Sequence, residues 1–196
     1  MTVNAIRKAV FLDRDGCVSP DEYGYISDAS QYKLYPYTPE ALRLLKSLGY
    51  LLFIVTNQSG IARGYFGFEE LKEVHNRLEE LLKAEQVELD QIYFAPYYAG
   101  GSVSPWNVEH PDRKPGPGMF QKALKEHPFQ PSASWMIGDR YTDIAFGKTN
   151  GLRSILLLSG NGMEELKGGV MSWDHKPDFI CEDLLTAAKV IRYFSK

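Results

Sequence analysis

The amino-acid sequence predicts a doubly wound parallel α/β fold, and three observations lead to this prediction. Short apolar runs recur along the chain without the alternating polar residues of a half-exposed strand, which is typical of strands covered on both faces. Stretches with apolar residues at helical spacing separate these runs, so strands and helices alternate as they do around a parallel sheet. Polar and acidic residues stand directly after several apolar runs, at the edge where open parallel sheets bind their ligands.

The predicted strands and helices follow one another along the whole chain. The strands are Ala9 to Leu12, Leu51 to Val55, Ile92 to Ala95, Trp135 to Ile137, Ser154 to Leu158 and an edge strand at Phe179 and Ile180. The helices are 38–48, 68–85, 142–150 and 184–194, with another that opens after the turn 113–118 and runs to about residue 125. Thr38 is expected to be the N-cap of the first helix, ahead of Pro39 at its first position.

Length and composition limit the function classes. The 196 residues suit one domain, spanning 1–196, and a substantial core. A net charge of −3 offers no basic surface, so no nucleic-acid partner is expected. No apolar run approaches membrane-spanning length and the N-terminus lacks a signal-peptide apolar region, so we expect a cytoplasmic protein without a membrane partner, by default a monomer. Cys17 and Cys181 form neither a metal-type pair nor a disulfide framework.

The stretch Phe11-Leu12-Asp13-Arg14-Asp15-Gly16 places two carboxylates at the end of the first predicted strand. On a regular strand, residues i and i+2 share one face, so Asp13 and Asp15 are expected to project together. Carboxylates this close repel each other unless a cation or a shared proton relieves the repulsion, and magnesium prefers such oxygen ligands. By itself the motif is equally compatible with a solvated turn that carries two surface aspartates.

The ends of later strands supply further polar groups. Thr56 and Asn57 follow the second strand, Asp139 and Asp143 follow the fourth, and Lys114 precedes a helix. Together with the first motif they suit phosphoryl transfer, in which positioning and charge neutralisation dominate. One carboxylate can accept the phosphoryl group, while another protonates the leaving oxygen and later takes a proton from water. Individually, these residues are more often strand-end caps or solvated side chains; the ordered set is the informative signal.

This ordered set resembles the haloacid dehalogenase superfamily of phosphatases, which use an aspartate nucleophile. The segments FLDRDG, TNQSGIARGYF and RKPGPGM are similar to heptose-bisphosphate phosphatases and the related histidinol-phosphate phosphatases, over nearly the whole chain. The TNQSGIARG segment followed by an aromatic residue favours the heptose branch. The resemblance implies a Rossmann-like sheet with little or no cap domain. It also implies a magnesium-dependent phosphatase with a small sugar phosphate as its partner, most simply a heptose 1,7-bisphosphate that loses its 7-phosphate through an aspartyl-phosphate intermediate.

The resemblance implies a role for each motif residue. Asp13 would be the nucleophile and Asp15 the general acid and base. Magnesium would be held by the carboxylates of Asp13 and Asp139 and by the main-chain carbonyl of Asp15, with Asp143 supporting it through water. The substrate-binding residues would be Asp21, Tyr25, Thr56, Asn57, Gln58, Ser59, Arg113, Lys114 and Arg140.

Within this substrate-binding set the implied roles differ. Thr56 and Asn57 would bind the transferring phosphate, Lys114 would neutralise it, and Arg113 would orient the sugar or its second phosphate. The loop Asp21-Glu22-Tyr23-Gly24-Tyr25 corresponds to a substrate loop of the family but is one residue longer. The contacts of its two acidic residues are therefore left open.

One departure from the family concerns metal. The family binds structural zinc through a C-x-H pair and a C-x-C pair ahead of the R-K-P motif, and this chain has Ala95, Tyr97, His110 and Asp112 at those positions. No thiolate remains, whereas a structural tetrahedral zinc site needs four good nitrogen or sulfur ligands. Zinc is therefore not expected, and we expect aromatic packing around Tyr97, Tyr98 and Trp106 to hold the intervening loop. Cys17, where threonine is usual, is expected to be a small buried thiol.

Three alternatives stay open. A two-component receiver domain also combines an acidic pocket, a threonine and a lysine, but its phosphate acceptor follows a later strand than its acidic pair. An inactive sugar-phosphate-binding relative has no need of the acid/base residue Asp15. Among enzymes, the alternative is a phosphatase of histidinol phosphate or another small sugar phosphate, and a substrate panel separates it from the heptose enzyme.

Overall fold

A computed structural model describes residues 7–21 and 24–195 of the chain, so the contacts expected of Glu22 lie outside the described residues. The strands are β1 (Lys8–Leu12), β2 (Tyr50–Asn57), β3 (Gln91–Ala95), β4 (Trp135–Gly138), β5 (Arg153–Leu157) and β6 (Phe179–Cys181). All of these strands belong to one sheet in the order β3-β2-β1-β4-β5-β6, and every neighbouring pair is parallel. The doubly wound parallel fold is confirmed, and each predicted strand is present.

The α-helices lie between and after these strands. They are α1 (Thr38–Ser47), α2 (Gly60–Arg63), α3 (Phe68–Ala84), α4 (Gly118–Glu126), α5 (Tyr141–Thr149), α6 (Gly162–Lys167) and α7 (Leu184–Phe194). The sequence does not predict α2 and α6, because helices of 4 and 6 residues are too short to show an apolar period. Within the described ranges, no helix combines the length and the apolar character needed to cross a membrane.

The start of α1 differs from the prediction. Thr38 is the first residue of the helix, and Tyr37 is the N-cap. The hydroxyl of Thr38 donates a hydrogen bond to the main-chain oxygen of Val18 at 2.9 Å instead of capping the helix. The prediction was wrong because a distant carbonyl competes for this hydroxyl, and the local sequence does not show that acceptor.

The order of the strands in the sheet changes direction at β1. Strands β2 and β3 lie on one side of β1, and β4, β5 and β6 lie on the other. Open parallel sheets bind ligands at such a switch point, beyond the carboxyl ends of the strands. Asp13 stands there, and its main-chain N–H donates to the oxygen of Ile137 at 2.9 Å, which extends the contact between β1 and β4.

Both faces of the sheet are buried, as the residues of β1 show. Val10 and Leu12 belong to a core cluster shared with α1, α3 and α7, whereas Ala9 and Phe11 belong to a second cluster shared with α4 and α5. On this second face, the ring of Phe11 lies 5.2 to 6.0 Å from the rings of Phe53, Phe120, Phe129 and Phe146. Full burial of one such side chain contributes about 1.5–3 kcal/mol. This packing holds β1 in place and thereby positions Asp13 and Asp15, which follow it in the chain.

Candidate active site

The ends of β1, β2 and β4 meet at a cavity of about 400 Å³. Its walls are formed by Asp13, Asp15, Asp21, Gly24, Tyr25, Thr56, Asn57, Gln58, Ser59, Arg63, Arg113, Lys114, Arg140 and Thr142. The whole predicted substrate-binding set is therefore brought together, along with Asp13 and Asp15. The remaining predicted residue, Asp139, is fully buried.

Asp13 and Lys114 form an ion pair at the base of the cavity. The Lys114 Nζ atom lies 3.0 Å from Asp13 Oδ1, and the main-chain N–H of Arg14 donates to the same oxygen at 2.7 Å. Burial raises the pKa of Asp13 well above its usual value, Lys114 opposes this shift, and neighbouring carboxylates add to it. Burial also works against the charge on Lys114, but Asp13 and Asp143 raise its pKa above the ordinary value. Lys114 is therefore a cation at neutral pH, held against the predicted nucleophile.

Both carboxylate oxygens of Asp143 accept hydrogen bonds from other residues of the protein. Its Oδ1 atom accepts a hydrogen bond from Lys114 Nζ at 2.6 Å, and its Oδ2 atom accepts one from the main-chain N–H of Arg140 at 3.0 Å. Asp143 lies in the first turn of α5, where a negative charge interacts favourably with the free N–H groups of the helix. In this structure Asp143 orients Lys114; its support of a metal through water stays a prediction.

Asp139 has the features of a cation ligand. Its Oδ2 atom accepts hydrogen bonds from the main-chain and side-chain nitrogens of Asn161, at 2.7 and 3.2 Å. Its Oδ1 atom is buried and has no hydrogen-bond partner in the described part of the chain, which is costly unless a cation is bound. Carboxylate oxygens of Asp13, Asp139 and Asp143 lie within 4.8 Å of one another. Burial raises the pKa of Asp139 to about 6. The three carboxylates form a set of hard oxygen donors, which fits magnesium.

Two glycines make room for the Asp139 carboxylate. A Cβ atom at Gly16 or at Gly160 would overlap the Asp139 side chain. Both glycines also have positive φ angles, +86° and +56°, that other residues rarely adopt. The glycine that ends the D-x-D-G motif is therefore needed for the packing of the site as well as for the turn.

Asp15 faces the cavity from the turn that follows β1, with its side chain 21% exposed. Arg14 donates to both of its oxygens, from Nε to Oδ1 at 2.9 Å and from Nη2 to Oδ2 at 2.8 Å. Gln58 Nε2 donates to Asp15 Oδ2 at 2.9 Å and to Thr56 Oγ1 at 2.8 Å. Asp13 and Asp15 line the same cavity as expected, but a turn rather than a regular strand brings them there, because β1 has already ended.

Asn57 is bound to the main chain of Lys114. Its Nδ2 atom donates to the Lys114 oxygen at 3.1 Å, and its Oδ1 atom accepts from the Lys114 N–H at 2.9 Å. The side chain thereby fixes the turn that carries Lys114 to the end of β2. Phosphate binding by Asn57 stays a prediction.

The rim of the cavity is formed by side chains from several loops. Asp21 accepts hydrogen bonds from Arg140 Nη2 at 3.2 Å and from Asn161 Nδ2 at 2.8 Å. The hydroxyl groups of Tyr25 and Ser59 lie 2.7 Å apart, within hydrogen-bonding distance. These contacts join Asp21 and Tyr25 of the predicted substrate loop to residues that follow β2, β4 and β5, so both line the cavity that contains Asp13 and Asp15.

Two arginines stack on Tyr98 at one side of the cavity. The guanidinium carbons of Arg63 and Arg113 lie 4.0 and 5.3 Å from the centre of the Tyr98 ring. The Nε atom of Arg63 is buried without a partner among the described residues, whereas Arg113 Nη1 donates to the oxygen of Tyr97 at 3.1 Å. Arg63 is a cavity residue that was not predicted from the sequence. It stands in the TNQSGIARG segment, and its position shortly after the end of β2 was the available signal.

Comparisons with known proteins agree with this geometry. A family model described as HAD-hydrolase-like, for haloacid dehalogenase, matches residues 112–187. The D-glycero-D-manno-heptose-1,7-bisphosphate 7-phosphatase of Thermosynechococcus vestitus is 38% identical over 191 residues, covering 94% of this chain and 95% of the relative. The D-glycero-beta-D-manno-heptose-1,7-bisphosphate 7-phosphatase of Pasteurella multocida is 39% identical over 153 residues, covering 78% and 82%.

A solved structure gives the same result. The crystal structure of D,D-heptose 1,7-bisphosphate phosphatase from B. bronchiseptica, complexed with magnesium and phosphate, has a TM-score of 0.82 and 25% identity, covering 95% of this chain and 99% of that one. The chain belongs to the heptose-bisphosphate phosphatase family of the haloacid dehalogenase superfamily. The resemblance stated from the sequence is confirmed, the protein is a phosphatase, and the receiver-domain alternative is excluded.

The four positions at which the family binds zinc make other contacts in this member. The rings of Tyr97 and His110 stack with their centres 3.7 Å apart. His110 Nδ1 accepts a hydrogen bond from the main-chain N–H of Asp112 at 3.1 Å, and Asp112 forms an ion pair with Lys122 at 2.5 Å. Ala95 is part of the core on one face of the sheet. Folding without zinc stays a prediction, consistent with a donor set that has no thiolate.

Aromatic contacts hold the segment between these positions, as predicted. The ring of Trp106 lies 5.5 Å from that of Tyr97 and 5.0 Å from that of Phe68. The main-chain oxygen of Trp106 accepts a hydrogen bond from the N–H of Tyr98 at 3.0 Å. Trp106 thus connects the segment 95–112 to α3 and to the tyrosine on which both arginines stack.

Proposed function

We propose that this phosphatase removes the 7-phosphate from a D-glycero-D-manno-heptose 1,7-bisphosphate, through an aspartyl-phosphate intermediate on Asp13 and with magnesium. The observation that carries the proposal is the buried pair of Asp13 and Lys114, next to the unpartnered Oδ1 atom of Asp139. This arrangement combines a nucleophile, a cation for the transferring phosphate and a ligand for a metal ion at one point. The printed names of the relatives support the choice of substrate.

The first step transfers the phosphoryl group to the protein. A carboxylate oxygen of Asp13 forms a bond to phosphorus while the bond between phosphorus and the sugar oxygen breaks. Lys114 offsets the negative charge of the phosphoryl group during the transfer. Asp15, in its acid form, gives its proton to the leaving sugar oxygen.

The second step releases phosphate. The Asp15 carboxylate takes a proton from a water molecule, whose oxygen forms a bond to phosphorus. The bond between phosphorus and Asp13 breaks, which restores the Asp13 carboxylate and frees inorganic phosphate. Asp15 can serve both steps because it loses its proton in the first and regains one in the second.

Magnesium would be held by the carboxylates of Asp13 and Asp139 and by the main-chain carbonyl of Asp15. When bound, it supplies positive charge that offsets the phosphate and the clustered carboxylates. The fit rests on the buried, unpartnered oxygen of Asp139 and on a donor set made of hard oxygens. Burial, together with neighbouring carboxylates, raises the pKa values of Asp13 and Asp139, and a bound cation would offset this crowding of negative charge.

The rim supports a substrate with a second phosphate. Arg63 and Arg113 lie together on Tyr98, and both line the cavity that also contains the Asp13–Lys114 pair. A guanidinium group presents a planar fork that matches phosphate oxygens. Tyr25 and Ser59 line the same cavity, and their hydroxyl groups would be available to the sugar.

A phosphate-release panel tests the proposal. The purified protein is assayed with magnesium on heptose 1,7-bisphosphates of both anomers, on the 1-phosphate, on histidinol phosphate and on common sugar monophosphates. We expect the highest kcat/KM on a heptose 1,7-bisphosphate, one equivalent of phosphate released, and reversible loss of activity on chelation. A higher kcat/KM on histidinol phosphate would replace the proposed substrate, and full activity after exhaustive chelation would contradict the metal dependence.

A further inference from the structure

Arg14 is a buried charge that the mechanism above does not use. Its side chain is 1% exposed and lies outside the cavity wall, so a substrate in the cavity cannot touch it. A buried charge is costly unless it is paired and hydrogen-bonded. The ion-pair partner of the Arg14 guanidinium is Asp15, the proposed general acid and base.

We propose that Arg14 is a positioning residue for the acid/base step: it holds the Asp15 carboxyl group in the orientation from which protons pass to the leaving oxygen and from the attacking water. This inference rests on the proposed role of Asp15. It adds to that role a residue that contacts neither substrate nor metal and acts only through its neighbour.

The geometry of the pair restricts how Asp15 can turn. Arg14 donates from Nε and Nη2 to the two different oxygens of Asp15, at 2.9 and 2.8 Å. Two parallel hydrogen bonds from a planar group fix the plane of a carboxylate, whereas a single bond leaves it free to rotate. Gln58 Nε2 donates a hydrogen bond to Asp15 Oδ2 at 2.9 Å and thus adds a second partner to the same carboxylate.

The Arg14 side chain is buried beside an aromatic ring, and its Nη1 atom has no hydrogen-bond partner among the described residues. Its guanidinium carbon lies 5.8 Å from the centre of the buried Tyr32 ring. Its main-chain oxygen accepts hydrogen bonds from the N–H groups of Val18 and Ser19, both at 3.0 Å. Burial, with a contribution from the Arg14 charge, lowers the pKa of His75 to about 3, so this neighbour on α3 is uncharged at neutral pH. Among the described residues, Asp15 is the negative charge that acts most strongly on Arg14, and Asp13 adds a smaller contribution.

The two carboxylates with proposed chemical roles, Asp13 and Asp15, pair with different cations. Asp13 pairs with Lys114, which Asp143 orients, whereas Asp15 pairs with Arg14. A lysine places a single point charge beside the phosphoryl group, whereas an arginine fork fixes the plane of the carboxylate with which it pairs. This division suits a nucleophile that forms and breaks a bond to phosphorus and an acid that must keep one orientation.

The test measures how activity depends on the leaving group. Aryl phosphates whose leaving groups range from p-nitrophenol to phenol need increasing help from a general acid, and kcat/KM reports only the steps up to departure of that group. We compare wild-type protein with the variants Arg14→Lys, Arg14→Met and Asp15→Asn. In the Arg14 and Asp15 variants, we expect the loss of kcat/KM to be roughly tenfold or more greater for phenyl phosphate than for p-nitrophenyl phosphate. A merely structural defect would lower both values by the same factor.

Two controls sharpen the comparison. Arg153→Lys makes the same exchange at an exposed arginine that stacks on Trp135 at 5.0 Å, and we expect it to leave the leaving-group dependence unchanged. In the double variant Arg14→Lys with Asp15→Asn, the first substitution should add nothing to the leaving-group dependence of the second, because Arg14 acts only through Asp15. Melting temperatures are measured for each variant; if Arg14→Met does not fold, Arg14→Lys keeps the charge opposite Asp15 and carries the test.

The outcomes separate this inference from the proposed function. The role of Arg14 would be overturned if Arg14→Lys lowered kcat/KM equally for both aryl phosphates, or if the two substitutions had additive effects on the leaving-group dependence. The role of Asp15 would still stand in that case, provided that Asp15→Asn itself showed the leaving-group dependence. No leaving-group dependence in Asp15→Asn would overturn both roles. Neither result depends on heptose recognition, since aryl phosphates carry no sugar. A wild-type protein that hydrolyses neither aryl nor sugar phosphates would overturn the proposed function together with this inference.

Discussion

The base and the rim of the cavity are held by different interactions. At the base, Asp13, Asp139, Asp143 and Lys114 are buried and are fixed by short, charge-assisted hydrogen bonds. At the rim, the segment 95–112 is fixed by stacked rings and main-chain hydrogen bonds. Bond making at phosphorus needs charges that do not reorganise, whereas a loop can be ordered by any set of side chains that buries enough area.

This difference would let the side chains of the rim change more readily than those of the base. Removing a charge from the buried base leaves its partner unpaired in a region of low dielectric. At the rim, Tyr97 and His110, at positions where the resemblance implies zinc ligands, stack on each other instead. Base variants should therefore affect the rate of the chemical step, and rim variants should affect substrate binding.

The largest effect is expected at the nucleophile. Asp13→Asn keeps the size of the side chain but removes the nucleophilic oxygen, so phosphate release should fall to the assay background while circular dichroism shows an intact fold. Asp174→Asn, at an exposed aspartate, is the matched control and should keep wild-type activity. Substantial turnover by Asp13→Asn would remove Asp13 from the nucleophile's role.

The next effect is expected at the lysine of the base. Lys114→Met leaves two buried carboxylates without their shared cation, so the free energy of unfolding should fall by about 3–5 kcal/mol. The kcat should fall by about 10²–10³, because the transferring phosphoryl group loses a fixed positive charge. Denaturant titration and steady-state kinetics measure the two losses. A stable and fully active variant would show that the buried pair is not what organises the base.

A smaller, substrate-dependent effect is expected from Arg113 at the rim. A hydrogen bond to a charged group contributes about 1.5–3 kcal/mol, so Arg113→Ala should lower kcat/KM on the bisphosphate by about 10- to 100-fold. Monophosphate substrates lack the second phosphate and should lose much less. Equal losses on both substrates would mean that Arg113 has a local structural role, for example through its bond to the Tyr97 oxygen.

The smallest effect on turnover is expected from Trp106. Trp106→Ala removes the ring that connects the segment 95–112 to α3, so the loop should loosen and KM should rise by a larger factor than kcat falls. The free energy of unfolding should fall by about 1–3 kcal/mol, since the side chain is only partly buried. Elemental analysis of the same preparations checks the metal: stoichiometric zinc would contradict the expectation that aromatic packing replaces it.

Much of the base follows from local sequence. Apolar runs of strand length end directly before Asp13 and Asp139, and Thr56 and Asn57 close β2 itself; because parallel strands share one carboxyl edge, these residues had to converge. The rim could not be derived in the same way. Arg63 lies in a helix of four residues, too short for a recognisable period, and its partner Tyr98 is far along the chain.

The sequence by itself determined the fold class, the strands and which residues stand at their ends, since burial on both faces imposes a pattern that can be read locally. Only the tertiary structure decided which partner each polar group takes. Adjacent residues on a regular strand point to opposite faces, yet Arg14 and Asp15 meet because the chain turns after β1. Asn57 and Lys114 are 57 residues apart and pair only because β2 and the turn before α4 are folded together. Hydrogen bonds depend on distances of a few tenths of an ångström, which a periodic pattern of apolar residues does not specify.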